Sequence, residues 1–297
     1  MSTTEWITGT WDLPAARHAA AWDSIITPEG IKSRLLNQAI LSLQLRTKLD
    51  YSVTALHGLV LLYGPPGTGK TTLARGLANE VAKIIGRARL IAVNPHGLMS
   101  AEHGQSQQRV IELMTDRIPA LADDGTPTFV LLDEVESMAV ARSAASLSAN
   151  PADVHRATDA VLTALDELGR SQPHIITIAT SNFSEALDEA FKSRADLALE
   201  VPLPTAEGVA AILRRTLDDF GEAFPRLRVL AKAAELDRVA AALVGLDGRR
   251  VRKSVTEALA SRREVAMDPG KLTIADLLQV AQQLRTVSGK QGIHAAA

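Results

Sequence analysis

Residues 64–71, Gly64-Pro65-Pro66-Gly67-Thr68-Gly69-Lys70-Thr71, fit the pattern G-x-x-x-x-G-K-[ST] in full. An apolar run, GLVLLY over 58–63, precedes them and reads as a buried strand. A segment with helical periodicity, 71–85, follows. Strand, glycine-rich loop and helix in this order form a phosphate cradle. The glycines let the backbone wrap round β- and γ-phosphates with its N–H groups pointing inward. Lys70 adds a point charge on the phosphates, and Thr71 offers a hydroxyl to Mg²⁺. Gly64, Pro65, Pro66, Gly67, Thr68, Gly69, Lys70, Thr71 and Thr72 are the candidate phosphate-binding residues of this loop. Few folds can present such a loop, and the pattern commits the chain to an α/β nucleotide-binding sheet.

The rest of the chain agrees. Residues 89–93, 128–132 and 174–179 read as further strands, and 31–45, 107–121, 153–169 and 184–191 as helices. Strands alternating with helices predict a mostly parallel sheet. Val201-Pro202-Leu203-Pro204 then makes a stiff, non-helical joint. Beyond it only helical patterns appear, over 205–220, 236–243, 249–266 and 274–284. The expected architecture is a P-loop α/β domain over 22–203 and a small all-helical lid domain over 204–287. An N-terminal arm, 1–21, and a flexible tail, 288–297, flank them. The arm is polar, broken by Gly9 and Pro14, and carries Trp6 and Trp11, with Trp22 just beyond. It reads as a loose cover for part of the core, with a partner-binding arm as the alternative. The small, polar stretch 139–152 reads as a mobile loop or a functional insertion.

Phe129-Val130-Leu131-Leu132-Asp133-Glu134 is an apolar strand that ends in two acids. In open α/β sheets ligands bind at the C-terminal ends of the strands, where these acids emerge. Asp133 is expected to hold Mg²⁺ through water, and Glu134 to orient and polarise the attacking water. Thr180-Ser181-Asn182 ends the next strand, which lets Asn182 hydrogen-bond the water or the γ-phosphate. Arg194, in Lys192-Ser193-Arg194-Ala195-Asp196, has two readings. It reaches the γ-phosphate bound by a neighbouring subunit, or it is a surface arginine paired with Asp196. Arg249, which opens a helix of the second domain, is expected to swing onto the phosphates, with Arg252 as its competitor.

Composition narrows the function. Lys and Arg number 32 against 34 Asp and Glu, a net charge of −2, which argues against a nucleic-acid-coating protein. With no cysteine there is no disulfide framework, thiolate nucleophile or Cys-ligated metal, which suits a cytoplasmic location. The histidines show no metal-ligand spacing. No apolar run approaches the length of a membrane helix, and MSTTEWITGTWD has no signal-peptide pattern.

Together these pieces resemble the AAA+ superfamily, and within it one family. Trp22-Asp23-Ser24-Ile25-Ile26, the GPPGTGKT loop, Leu132-Asp133-Glu134-Val135-Glu136-Ser137, Ala160-Val161-Leu162-Thr163, Ala179-Thr180-Ser181-Asn182, Arg194-Ala195-Asp196 and Gly248-Arg249-Arg250-Val251-Arg252-Lys253 are similar to the pachytene-checkpoint / thyroid-receptor-interacting-protein family. The resemblance implies an Mg²⁺-dependent ATPase forming a homohexamer that threads a HORMA-domain protein through its pore. It makes Lys70, Thr71, Asp133, Glu134 and Asn182 the nucleotide site, Arg194 the finger acting in trans and Arg249 the lid sensor. It also suggests that backbone near Ile25 and Ile26 lines the adenine pocket. Only about 20 residues precede Trp22, without the adaptor-binding domain of eukaryotic members. That looks like the bacterial members of cyclic-oligonucleotide antiphage (CBASS) systems, whose client is a HORMA protein bound to a nucleotidyltransferase. Ala101-Glu102-His103 stands where relatives place a basic residue and aromatics, which weakens the expected grip on a threaded chain. An AAA+ nucleic-acid motor or loader and a non-threading regulatory ATPase are the alternatives.

Overall fold

Six strands form one sheet in the order β1-β3-β4-β5-β2-β6. They are β1 (Ile7–Leu13), β2 (Leu59–Tyr63), β3 (Ala88–Val93), β4 (Thr128–Leu132), β5 (Ile175–Ser181) and β6 (Leu197–Glu200). Every pairing from β3 to β6 is parallel, and β1 runs antiparallel to β3. This computed structural model describes residues 6–98, 105–139 and 151–294. The expected pore loop at Ala101-Glu102-His103 and most of the 139–152 stretch lie outside them.

Strands β4 and β5 are buried at every position because helices cover both faces of the sheet. Side chains alternate between two cores, as a strand's period of two requires. Leu59, Leu61, Ile91, Val130 and Leu132 pack with Leu113, Val161, Leu165 and Phe191 on one face. Val60, Leu62, Leu90, Phe129, Leu131 and Ile178 pack with Leu35, Leu73, Leu77 and Val81 on the other. The helix Lys70–Ile85, which the phosphate loop opens, buries Leu73, Leu77 and Val81 along one stripe of that second core.

Four local details differ from the sequence expectation. The arm is not loose: Ile7–Leu13 is a strand paired with β3 from Ile7↔Val93 to Leu13↔Ala88. Gly9 and Pro14 suggest a break, but pairing satisfies an edge of β3 that would otherwise stay open. Trp11 is held there by Arg17 over its ring at 4.9 Å and by His18 edge-on at 5.5 Å. Strand β6 has the pattern LALE, alternately buried and exposed, and is too short to stand out in the sequence. The 107–121 helix is three pieces: α-helix Gln105–Ile111, π-helix Glu112–Arg117 and α-helix Ile118–Leu121. The widened turn comes just before Pro119, which has no N–H to give the ladder. The 249–266 helix is two, Gly248–Leu259 and Arg263–Met267, with Arg262 extended between them and bonded to Asp276 at 2.7 and 2.8 Å.

A break between Val201 and Pro202 divides the chain into a sheet unit and a helical unit, and Ile26–Pro28 and Pro65–Gly69 group with the latter. The helical unit packs Val209, Leu213, Leu217, Leu236, Val239, Leu243, Val251, Val255 and Leu277 into its own core. Thr205 caps the helix Ala206–Phe220 by accepting from the Gly208 N–H. A short helix, Leu227–Ala231, joins it. The last helix, Ile274–His294, runs into the segment expected to be a tail.

Candidate active site

In the sheet unit the site is built where β2, β4 and β5 end. Strand β2 runs into Gly64, whose N–H donates to the Ser181 carbonyl at 3.2 Å. Gly64 has φ +136°, and a Cβ there would lie 2.5 Å from the Val201 carbonyl oxygen, so glycine is required. Lys70 is buried to 5% exposure, with Nζ donating to the Gly64 carbonyl at 2.8 Å. That bond curls the side chain back over its own loop.

Strand β4 delivers Asp133 and Glu134. Oδ1 of Asp133 accepts from the Thr71 hydroxyl at 2.7 Å and from the Thr180 hydroxyl at 2.5 Å. Thr71 and Asp133 thus present adjacent hard oxygens, the donors Mg²⁺ prefers while it keeps waters and phosphate oxygens as its other ligands. Among the described residues no group of three or more His, Asp or Glu could hold a metal by itself, so such an ion would need the nucleotide to complete its shell.

Glu134 adopts φ 55°, ψ 52°, a left-handed conformation that L-residues rarely take. Such strain costs on the order of 1–3 kcal/mol and concentrates at functional sites. The backbone is held there by its N–H donating to Thr180 Oγ1 at 3.1 Å. The side chain is held by Asn182 Nδ2 donating to Oε1 at 3.2 Å. Asn182 is itself fixed through its backbone N–H to Glu136 Oε1 at 3.1 Å. A cavity of about 270 Å³ opens beside Asp133 and Glu134, with Thr8, Arg75 and Asn94 on its wall.

In the helical unit the middle of the phosphate loop has its own supports. Thr68 Oγ1 donates to the Pro65 carbonyl at 3.0 Å. The backbone N–H of Arg249 donates to the Gly67 carbonyl at 3.2 Å, while Asp247 caps the same helix by accepting from the Arg250 N–H at 3.0 Å. The Arg249 side chain is exposed, as is that of Arg252. Ile26 packs against the core of this unit, and Ile25, 8% exposed, belongs to the sheet core.

Arg194 stands elsewhere in the sheet unit, just before β6. Its partner is Asp166, not Asp196: Nε donates to Oδ1 at 2.7 Å and Nη2 to Oδ2 at 2.8 Å. The bidentate bond raises the arginine's pKa further and, together with the arginine's charge, holds the Asp166 carboxyl below its ordinary range. Asp196 accepts instead from the backbone N–H groups of His57 and Gly58, at 2.9 and 2.7 Å, and burial pushes its pKa up. Gly58 and Gly64 bound β2, and six residues at about 3.3 Å each put roughly 20 Å between its two ends. Arg194 therefore lies beside the far end of β2 from Lys70 and Glu134.

The structure thus brings together Lys70, Thr71, Asp133, Glu134 and Asn182, and sets Arg194 apart. Sequence reasoning missed the roles of Thr180, Glu136, Asp166 and Asp247. The Thr-Ser-Asn strand end contained the signal for Thr180, since a hydroxyl beside the acids can bond them. Asp166 had none, being one acid on a helical face.

The family model "ATPase family associated with various cellular activities (AAA)" matches residues 60–203. The chain is 48% identical over 286 residues to CD-NTase-associated protein 6 of Pseudomonas aeruginosa, covering 95% of this chain and 94% of that protein. It is 34% identical over 268 residues to the pachytene checkpoint protein 2 homolog of Danio rerio, covering 82% of this chain and 63% of that protein. Two solved structures share the fold. C. elegans PCH-2 has a TM-score of 0.73 and 24% identity, over 95% of this chain and 75% of that one. A chain of the E. coli MS115-1 HORMA:CdnC:Trip13 complex has a TM-score of 0.78 and 18% identity, over 95% and 97%.

Proposed function

We propose a function from one premise: the chain belongs to the AAA ATPase family, in the pachytene-checkpoint branch that includes CD-NTase-associated protein 6. It hydrolyses ATP to take apart or unfold a HORMA-domain protein complex, and so restrains a cyclic-oligonucleotide antiphage signalling system. The observation that carries this is the likeness to CD-NTase-associated protein 6 along nearly the whole of both chains. A fold neighbour that is part of a HORMA:CdnC:Trip13 complex supports the same client class, a HORMA protein with a nucleotidyltransferase attached.

Thr71 and Asp133 would hold Mg²⁺, which supplies charge neutralisation on the phosphates when bound. Gly64–Gly69 and Thr72 wrap the phosphates, Lys70 draws off their charge, and backbone near Ile25 and Ile26 frames the adenine. Glu134, fixed by its Thr180 and Asn182 bonds, orients a water and accepts its proton as the oxygen attacks the γ-phosphorus. The bond from that phosphorus to the β–γ bridging oxygen breaks, and ADP leaves with the electron pair. Arg194 stabilises the spreading charge at a neighbouring copy's γ-phosphate in a homohexameric ring, and Arg249 senses the nucleotide from the helical unit. The length of β2 supports the trans assignment, because Arg194 lies at the wrong end of it for its own site. No helix among the described residues is long and apolar enough to cross a membrane. We propose a cytoplasmic location, which the cysteine-free sequence suits.

The test is ATP turnover measured alone, with a HORMA-domain protein, with that protein bound to its nucleotidyltransferase, and with DNA. Stimulation by the HORMA protein and release of the nucleotidyltransferase are expected. A response to DNA with none to the HORMA protein would place the chain among nucleic-acid motors instead.

A further inference from the structure

Arg194 is a long side chain whose guanidinium is already anchored. It carries five N–H donors. Three are committed: Nε and Nη2 to the two oxygens of Asp166, and Nη1 to the Ala190 carbonyl at 2.8 Å. Among the described residues two donors remain, one on each terminal nitrogen, turned away from Asp166. Arg194 and Asp166 are 23% and 26% exposed, so the pair is neither sealed in the core nor loose on the surface.

Asp166 is held in turn. Its Oδ1 lies 3.2 Å from His57 Nε2, which is 2.9 Å from the Tyr51 hydroxyl, and Arg170 stands over the Tyr51 ring at 5.3 Å. The His57 backbone is tied to Asp196 at the start of β6, and the Asp196 N–H donates to the Leu59 carbonyl at 2.8 Å. Asp166 rides on the helix Pro151–Ser171, and Arg194 ends the helix Glu189–Ser193. The end of the helix Glu189–Ser193 and the loop before β2 therefore converge on one carboxylate, whose oxygens grip the inner edge of the arginine.

We propose that Asp166, backed by His57, is the positioning residue for Arg194: it fixes the guanidinium with its outer edge presented, so that a γ-phosphate on a second copy of this chain meets a preorganised fork. This rests on the reading that Arg194 acts in trans. A preorganised donor raises the rate because its ordering is complete before the transition state forms. An arginine left to sample its rotamers would still reach the phosphate, but seldom in register. Asp166 touches no substrate; its effect passes through Arg194, and it must lie on the same subunit as the arginine it serves.

Mixed rings test this, assembled from two differently tagged variants and purified on both tags. Asp166→Asn alone is expected to lower kcat about 10- to 100-fold, as misplacing a reacting group does. Its KM for ATP should stay near wild type and its thermal midpoint should fall only slightly, by the small stabilisation of the ion pair, and adding Arg194→Ala should lower kcat no further than Arg194→Ala alone. Rings of Asp166→Asn with Lys70→Ala should regain activity, because the second subunit brings an intact finger to the first one's intact nucleotide site. Rings of Asp166→Asn with Arg194→Ala should regain none, because both lack a competent finger. Activity in that last mixture above that of Asp166→Asn alone, or wild-type kcat in Asp166→Asn, overturns the proposal. If rings of Arg194→Ala with Lys70→Ala also stay dead, the trans reading itself falls and takes the proposal with it. Should Asp166→Asn unfold below the assay temperature, Asp166→Glu, which keeps the charge but shifts it by one methylene, replaces it in the same mixtures with the same expected and overturning outcomes.

Discussion

At its C-terminal end β2 runs into Gly64 and the phosphate loop; at its other end it starts beside Asp196, which accepts from the backbone of His57 and Gly58. The first end gathers a buried lysine bonded to the loop's own Gly64 carbonyl, two hydroxyls that share Asp133, and Glu134, whose backbone N–H bonds one of them. The second gathers Asp166, Arg194, His57, Asp196 and Arg46. Arg46 is 5% exposed and hydrogen-bonds the backbone carbonyls of Gly169, Gln172 and Ile175. Burial pulls its pKa down to about 10, so it remains charged at neutral pH. One end of the sheet is built to receive a negatively charged ligand. The other spends its charges internally: Asp196 and Arg46 bond backbone groups, and Asp166 and Arg194 bond each other. On the proposed trans reading of Arg194, a single strand's length separates what binds from what reaches out.

Arg194→Ala has the largest expected effect: kcat falls by about 10³-fold or more, the scale of an arginine finger, while ATP affinity stays within a few-fold of wild type. Steady-state turnover and nucleotide titration check this, and a large loss of affinity would mean that Arg194 belongs to its own subunit's site. Glu134→Gln should follow, with turnover down about 10²- to 10⁴-fold and ATP still bound, because the change removes the base and leaves the phosphate cradle intact. Near wild-type turnover would reassign the water-activating role.

Thr180→Val is expected to act more mildly. It deletes a donor to Asp133 and the acceptor for the strained Glu134 N–H, costing about 1–3 kcal/mol where a buried partner is left unsatisfied. Urea melts should show the loss, and kcat should fall because Glu134 loses its anchor. The smallest effect is one of pH. The folded-state pKa of Asp166 is depressed, chiefly by the Arg194 hydrogen bonds, so the pair stabilises the fold above the unfolded value of about 4. That contribution disappears as pH falls through the lower folded value. Melts of wild type and Asp166→Asn across acid pH should therefore converge as pH drops.

What could be read in advance follows from how local each feature is. The loop, its lysine and its threonine are consecutive, so one stretch of chain specifies both the turn and its chemistry. Asp133 and Glu134 were legible because an apolar strand must end somewhere, and its end faces the ligand. β1 was harder. Its side chains alternate between part-buried and exposed, as an edge strand's do, but Gly9 and Pro14 suggested a break, and only β3's open edge makes pairing pay. Of the two readings of Arg194, pairing with Asp196 rested on nearness in sequence, whereas Asp166, 28 residues away, is the partner in space.

By itself the sequence determined the sheet's parallel core, the phosphate cradle, the paired acids and the family. Each is carried by residues adjacent along the chain or spaced at the period of one element, and such spacing survives any folding of the rest. Only the tertiary structure decided which hydroxyl steadies Asp133, what holds Glu134 in its left-handed turn, and which carboxylate grips Arg194. Those partners lie 47, 46 and 28 residues apart, respectively. Their meeting depends on strand order and helix packing, and hydrogen bonds select by distance and angle rather than by position in the chain.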